Sequence, residues 1–395
     1  MKLPVRYRAL KSLGAGGAGS VWAVQDRVTG ERLALKLVHE GASHGELDAL
    51  VREASALAAL SQAGLPGVRA IGTLPGTSRR YLVRELVEGK SLEDALDEET
   101  PWLGAFVTAC AQLALLHRAG SLHGDIKPAN LIVRKDGRGC LVDLGLSAPL
   151  MLGGTRTLGL TPRFAAPELL EGERLTVRAE VYSLGATLRD AIARRGDELK
   201  DELRIGLTRA VHRATLLAPA GRHPSVDEFY AEITSLPGVS IPPTPRPLVW
   251  RVGGLEETVR QLTAAVHDLA PGQSLVLVGP EGAGRSTLLR ELAWTLAAAA
   301  EDVVHIAAAP SDKALEVHAE EMDERPHALL LIDDYDAMSD DNRRFFEQAA
   351  SGGRRRVLVM SAEHLPQQGN FLRFDVPVLD SSTLEGLVRA AIPSV

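Results

Sequence analysis

The sequence predicts an α+β region joined, across a proline-dense stretch, to an α/β region with a parallel sheet. Three observations predict it. Residues 7–38 read as a β-meander with turn residues between the strands, and helical stripes follow them. Residues 237–247 contain Pro237, Pro242, Pro243, Pro245 and Pro247, too many for a helix or a central strand. From Leu275 an apolar strand runs into a glycine-rich turn and then a helical pattern. Further apolar strands follow at 303–306, 328–332, 357–360 and 374–378.

The chain has 395 residues, 45% hydrophobic and 24% charged, which suits two or three soluble globular domains. A net charge of −7 argues against an electrostatic nucleic-acid binder. Arg354-Arg355-Arg356 is the one tight basic cluster, and it reads as a solvated strand start. Cys110 and Cys140 have no metal-ligand spacing and read as core thiols of a protein in the reducing cytoplasm. No apolar run reaches about 18 residues, so no membrane span is expected.

In the first region, Gly14, Gly16, Gly19 and Val21 form G-x-G-x-x-G-x-V. Glycines let a backbone approach phosphates closely. A strand follows this turn rather than a helix, which favours a lid over phosphates rather than a dinucleotide site. Lys36 stands on the next alternating strand. Glu53 lies within the apolar stripe of a helix over 47–60, where a carboxylate wants a cation, and Lys36 is the candidate. Tyr81-Leu82-Val83 leads into Arg84-Glu85-Leu86-Val87, and Phe106 to His117 reads as a long apolar helix. The stretch His123-Gly124-Asp125-Ile126-Lys127-Pro128-Ala129-Asn130 then precedes two short strands, the second ending at Asp143. That set suits phosphoryl transfer. One carboxylate accepts a hydroxyl proton, a carboxylate and an amide oxygen hold magnesium, and a lysine neutralises the moving phosphoryl group.

Taken in order, these elements resemble the eukaryotic-type protein kinases, specifically the bacterial Ser/Thr type, because Lys127 stands beside Asp125. The resemblance covers roughly residues 7–235. It implies a two-lobed α+β protein kinase fold over 1–236, with an N-lobe at about 7–88 and a C-lobe at about 89–236. It implies ATP and Mg2+ as cofactors. Asp125 would be the base, Lys127 would lie along the γ-phosphate, Lys36 would pair with Glu53, and Asn130 and Asp143 would ligate the metal. Gly14, Gly16, Gly19 and Val21 would cover the nucleotide, and the backbone at Glu85 and Val87 would bond adenine. The activation segment would run from Asp143 to Glu168 through Thr155, Thr157 and Thr161, and Arg222 would pair with Glu168. Departures are Gly124 for Arg, Leu144 for Phe, Glu180 for Asp and a charged Arg84 at the gatekeeper position. A longer Glu180 could still brace the catalytic loop.

Past the 237–247 linker, Gly279-Pro280-Glu281-Gly282-Ala283-Gly284-Arg285-Ser286-Thr287 is a P-loop pattern, G-x-x-x-x-G-K-[ST], with Arg285 in place of Lys. The strand over 328–332 ends in Asp333 and Asp334. The region 248–395 resembles the AAA+/signal-transduction ATPases, with Arg251 to Glu256 as their entry motif. This implies an α/β P-loop NTPase-like parallel-sheet domain, with Gly279, Gly284, Arg285, Ser286 and Thr287 holding nucleotide and Ser286 and Asp333 holding metal. The bulkier guanidinium of Arg285 places its charge differently from a lysine and puts hydrolysis in doubt. The sequence stops at Val395 with little room for a helical lid, so the domain reads as truncated or minimal.

The expected function is transfer of the ATP γ-phosphate to protein Ser/Thr hydroxyls. The C-terminal domain would regulate, self-associate or recruit a partner protein, with no role for membrane or nucleic acid. The rival is a pseudokinase and P-loop scaffold that binds nucleotide and partners without phosphotransfer.

Overall fold

The computed structural model describes residues 3–16, 19–60, 64–98, 100–144, 148–149, 161–240, 255–270, 273–306, 310–351, 358–362 and 370–377. Gly145, Thr155, Thr157, the linker beyond Ser240, Arg251 to Gly254, Arg354 to Arg356, Val357, Val378 and the end at Val395 lie outside them. The chain divides into two compact units. One holds residues 1–42, 69–83 and 251–395; the other holds 43–68 and 84–250.

In the first unit, β1 (Tyr7–Gly16), β2 (Gly19–Asp26) and β3 (Arg32–Leu37) form the expected antiparallel meander. With β4 (Val68–Thr73) and β5 (Arg80–Glu85) they make a sheet of order β1-β2-β3-β5-β4. Tyr7, Val24, Leu33, Leu35, Leu37, Tyr81 and Val83 pack on one another as its core. Gly19 has φ +135°, and a Cβ there would sit 2.1 Å from the Leu37 carbonyl oxygen, so the loop end closes on β3 only as glycine.

The second unit begins with α1 (His44–Leu60), which buries Leu50, Glu53, Ala54 and Leu57. Next come β6 (Lys90–Ser91), α2 (Leu92–Asp97), α3 (Leu103–Arg118), β7 (Ser121–Leu122), β8 (Leu131–Val133), β9 (Gly139–Leu141) and β10 (Ala148–Pro149). The Ser91 hydroxyl accepts from the Asp94 N–H and caps α2. Helices α4 (Pro167–Leu170), α5 (Val177–Arg195), α6 (Asp201–Ala214) and α7 (Val226–Thr234) complete the unit. The short sheet β6-β8-β9 sits against α3, whose Gln112 ties Gly64, Gly139 and Leu141 together through its amide. Both cysteines are unpaired and buried.

The C-terminal part of the first unit runs α8 (Glu256–His267), β11 (Ser274–Val278), α9 (Arg285–Ala298), β12 (Val303–Ile306), α10 (Asp312–Glu324), β13 (Leu329–Ile332), α11 (Asp340–Ser351), β14 (Leu358–Ala362) and β15 (Phe371–Asp375). Among the described residues its five strands are parallel, in the order β12-β13-β14-β11-β15. Two strands depart from their expected bounds. The last covers Phe371–Asp375 rather than 374–378, because its register is set by β11, from Ser274 opposite Phe371 to Val278 opposite Asp375. It is a half-exposed edge carrying Arg373 and Asp375, so apolar periodicity does not mark it. Strand β14 continues past 360 through a fully buried Ser361, which pairs with Leu277.

Candidate active site

Two loops gather the polar residues singled out by sequence. The first lies between β7 and β8. Pairing of Leu131 with Leu141 brings the ends of β8 and β9 together, and the Val142 N–H donates to the Asn130 carbonyl at 2.9 Å. Asn130 and Asp143 therefore flank one ladder end. Asp143 adopts φ +63°, a left-handed conformation uncommon for a residue with a Cβ.

Asp125 is the hub of this loop. Its carboxylate pairs with Lys127 Nζ at 2.6 Å and accepts from Asn130 Nδ2 at 2.9 Å. Asn130 Nδ2 also donates to the Asp125 carbonyl at 2.8 Å, so the amide oxygen is the atom left to face a cation. Lys127 donates to the Thr161 hydroxyl at 3.0 Å, and that hydroxyl lies 3.4 Å from Asp125 Oδ1. A hydroxyl, a carboxylate and an ammonium thus meet at one point. The Asn130 and Asp143 oxygens suit a hard divalent cation such as Mg2+.

The loop is held from below by Glu180 of α5, which is 1% exposed. One carboxylate oxygen accepts from the Gly124 N–H and the other contacts His117 Nε2, each at 2.5 Å. The longer side chain therefore does reach the catalytic-loop backbone. Gly124 has φ +90°, a left-handed turn that favours glycine. The Asp125 N–H donates to His123 Nδ1 at 3.3 Å, and burial pushes the fully enclosed His123 toward its neutral form.

Further out, Arg222 is fully buried and all five of its donors are met. Two go to the Glu168 carboxylate at 2.6 and 2.8 Å, and the others to the Leu216, Leu217 and Arg178 carbonyls. This fixes the end of the segment that carries Thr161. In the same unit, the Glu85 N–H donates to the Gly67 carbonyl at 2.8 Å. Arg84 is 6% exposed, and its Nε has no partner among the described residues. Lys36, in the first unit, is 5% exposed on β3 and stands opposite Val21, while Gly16 stands opposite Gly19 across the β1–β2 turn. Gly14 pairs with Val21 in the same ladder. Val87 lies just past β5, in no regular element.

The second loop joins β11 to α9. The Ser286 hydroxyl donates to Asp333 at 3.0 Å, so two oxygens of the kind that suit a hard divalent cation lie side by side. Arg285 behaves otherwise. It donates to the Gly279 carbonyl of its own loop at 2.5 Å and lies 3.9 Å from Asp334. Thr287 lines a cleft of about 590 Å³ between α8 and α9, together with Val259, Thr263, Glu291 and Trp294. Sequence reasoning missed His117 as a Glu180 partner; its place in the last turn of α3 was the available signal. It also missed the partners of Arg285.

Residues 7–197 match the family model described as Protein kinase domain, and residues 253–368 match the one described as Novel STAND NTPase 5. Among curated proteins, the chain is similar to a probable serine/threonine-protein kinase PknB of Lactococcus lactis, 28% identical over 46% of this chain and 31% of that protein. It is 32% identical to the DNA damage-responsive serine/threonine-protein kinase RqkA of Deinococcus radiodurans, over 46% of this chain and 29% of that one. It is 33% identical to the serine/threonine-protein kinase PknJ of Mycobacterium tuberculosis, over 46% and 33%. The chain thus spans about a third of the length of the relatives it matches. No helix among the described residues is long and apolar enough to cross a membrane.

Proposed function

We propose that this chain, a bacterial eukaryotic-type protein kinase domain followed by a STAND NTPase domain, transfers the γ-phosphate of ATP to serine or threonine hydroxyls of protein substrates. The observation that carries the reading is the meeting of Asp125, Lys127 and the Thr161 hydroxyl, since a substrate hydroxyl needs the same two partners. Asp125 orients the hydroxyl and takes its proton as the oxygen attacks. Lys127 offsets charge on the moving group. Asn130 and Asp143 hold Mg2+, which supplies charge neutralisation on the phosphates when bound. Lys36, supported by Glu53, steadies the phosphates beneath the Gly14-Gly16-Gly19-Val21 turn. Adenine takes the Glu85 carbonyl and the Val87 backbone, the Glu85 N–H being already engaged by Gly67.

The domain boundaries that fit this reading are 1–236 for the kinase, 237–247 for the linker and 248–395 for the P-loop domain. Two unpaired buried thiols suit a reducing compartment, so we place the protein in the cytoplasm. The P-loop domain holds nucleotide through Gly279, Gly284, Ser286 and Thr287, with Ser286 and Asp333 on the metal. It regulates or recruits rather than turning over ATP at speed, because Arg285 is engaged with its own loop. The test is transfer of γ-labelled phosphate to a serine peptide by the full chain. Asp125→Asn should lower the rate by about 10² to 10⁴ while ATP binding persists. An unchanged rate in Asp125→Asn would sink the assignment. Tight ATP binding with no transfer by the wild type would favour a pseudokinase scaffold.

A further inference from the structure

Strand β5 sends two adjacent side chains to the C-terminal part of the same compact unit. Arg80 is 6% exposed; its Nη1 donates to the Ala298 carbonyl at 3.1 Å and its Nη2 to the Ala297 carbonyl. These carbonyls close α9 at the negative end of its dipole, and the Ala297 carbonyl also accepts from the Ala300 N–H at 3.1 Å. A buried guanidinium therefore caps the far end of the helix that begins with Arg285 and Ser286. Tyr81, next in the strand, accepts from Arg325 Nη2 at 2.8 Å. Arg325 is itself buried; it donates to the Val303 carbonyl at 3.2 Å and pairs with Asp302 at 3.4 Å, at the start of β12. Gly72 on β4 leaves room for the Tyr81 hydroxyl, since a Cβ there would lie 2.6 Å from it. At the rim, Arg27 pairs with Glu320 at 2.6 Å, and the Val5 N–H donates to Glu324 at 3.3 Å, both on α10.

Burying two guanidiniums and a phenol costs solvation that only well-made bonds offset. Arg80 and Tyr81 need none of these contacts to form a strand. We propose that Arg80 is a positioning residue that couples the two nucleotide sites. Through it, the state of the P-loop at one end of α9 is felt in β5, the strand that ends in the Glu85 backbone. The proposal rests on the kinase reading above. A 14-residue helix is a rod about 21 Å long. A phosphate seated at its N-terminus must draw Arg285 off the Gly279 carbonyl. The resulting shift of the rod is passed to Arg80, because a close-packed contact transmits displacement instead of absorbing it. By linkage, nucleotide at the P-loop changes nucleotide affinity at the kinase site, and the reverse holds by the same factor.

The full-length chain carries the test. KM for ATP in transfer to a serine peptide is measured for the wild type, Ser286→Ala, Arg80→Ala and the double variant. Ser286→Ala should shift KM about fivefold or more when Arg80 is present. The shift should largely vanish in the Arg80→Ala background and return in part with Arg80→Lys. An equal shift with and without Arg80, or none in either, overturns the proposal. Hydrogen exchange on the same proteins with ADP guards against a folding defect and against failure of the kinase reading. Protection at residues 80–83 should differ between the wild type and Ser286→Ala, but not between Arg80→Ala and the double variant. No difference in the first pair also overturns the coupling. A wild type that transfers no phosphate sinks the kinase reading alone, and the exchange comparison then decides the coupling.

Discussion

The loop around Asp125 and the loop around Arg285 each set a cationic side chain beside carboxylates, yet they dispose those cations differently. In the first, Lys127 touches Asp125 and the Thr161 hydroxyl and leaves the loop's own carbonyls alone. In the second, the guanidinium turns onto a carbonyl of its own loop and toward Asp334. The first loop is braced from outside by Glu180, whereas the second is closed from inside by its own Arg285. A motif therefore fixes where a charge is tethered, and local acceptors decide where it points. A lysine's compact ammonium on a flexible stem can follow a phosphate. A planar fork of donors finds carbonyls and carboxylates that fit it.

The largest effect expected from breaking this comparison lies at the external brace. Glu180→Ala leaves the Gly124 N–H and His117 without their acceptor. The rate of transfer to a serine peptide should fall about 100-fold, the scale for a misplaced catalytic group. A rate within a few-fold of wild type would mean that the loop holds itself. Next, Arg285→Lys should tighten nucleotide binding at the P-loop by about tenfold, or about 1.4 kcal/mol. Calorimetric titration of the full chain with ADP should show the weaker of two sites tightening by that factor in the variant. An identical isotherm in both proteins would place the fault in the loop rather than in its cation.

Much of the kinase region was legible because its partners are close in sequence or sit in ordered motifs. Asp125, Lys127 and Asn130 lie within six positions, and the expected Glu168–Arg222 pair is found at 2.6 Å. Glu180 was legible as a position but not as an outcome, since reach depends on where α5 passes beneath Gly124. Strand β15 was misplaced by three residues because register with β11, not its own pattern, sets its ends. The Arg80 cap was invisible, because a residue at a strand start carries no signal for a helix end 217 positions away.

Smaller effects sharpen the picture of the first unit. Burial alone would raise the Asp26 pKa, but Arg6, at 2.8 Å, and the Val28 N–H hold it below its ordinary value of 3.8. A carboxylate depressed in the fold contributes stability that is present above its unfolded pKa and is lost as pH falls through the folded one. Protection of β1 and β2 from hydrogen exchange should therefore weaken as pH drops below about 4. Asp26→Asn should lower that protection at pH 7 and flatten its acid dependence; an unchanged dependence would assign the acid sensitivity to other groups. The smallest effect is expected for a Thr155→Ala, Thr157→Ala double variant made alongside a phosphatase, because Gly124 offers no cation for a phosphate to meet. Its rate on an exogenous peptide should stay near wild type. A loss of about 100-fold would show that another cation reads the phosphate.

The left-handed turn at Gly124 also acts as a one-way valve on sequence change. Any residue with a Cβ placed there costs roughly 1–2 kcal/mol of backbone strain, from a total stability of about 5–15 kcal/mol. An arginine would bring, besides that strain, a charge beside Asp125 that finds its counter-ion only after the activation segment is modified. The strain, the new charge and the modifying event would have to arise together, since each alone is a loss. Glycine at this turn leaves position 124 without a side-chain charge for a phosphate to meet.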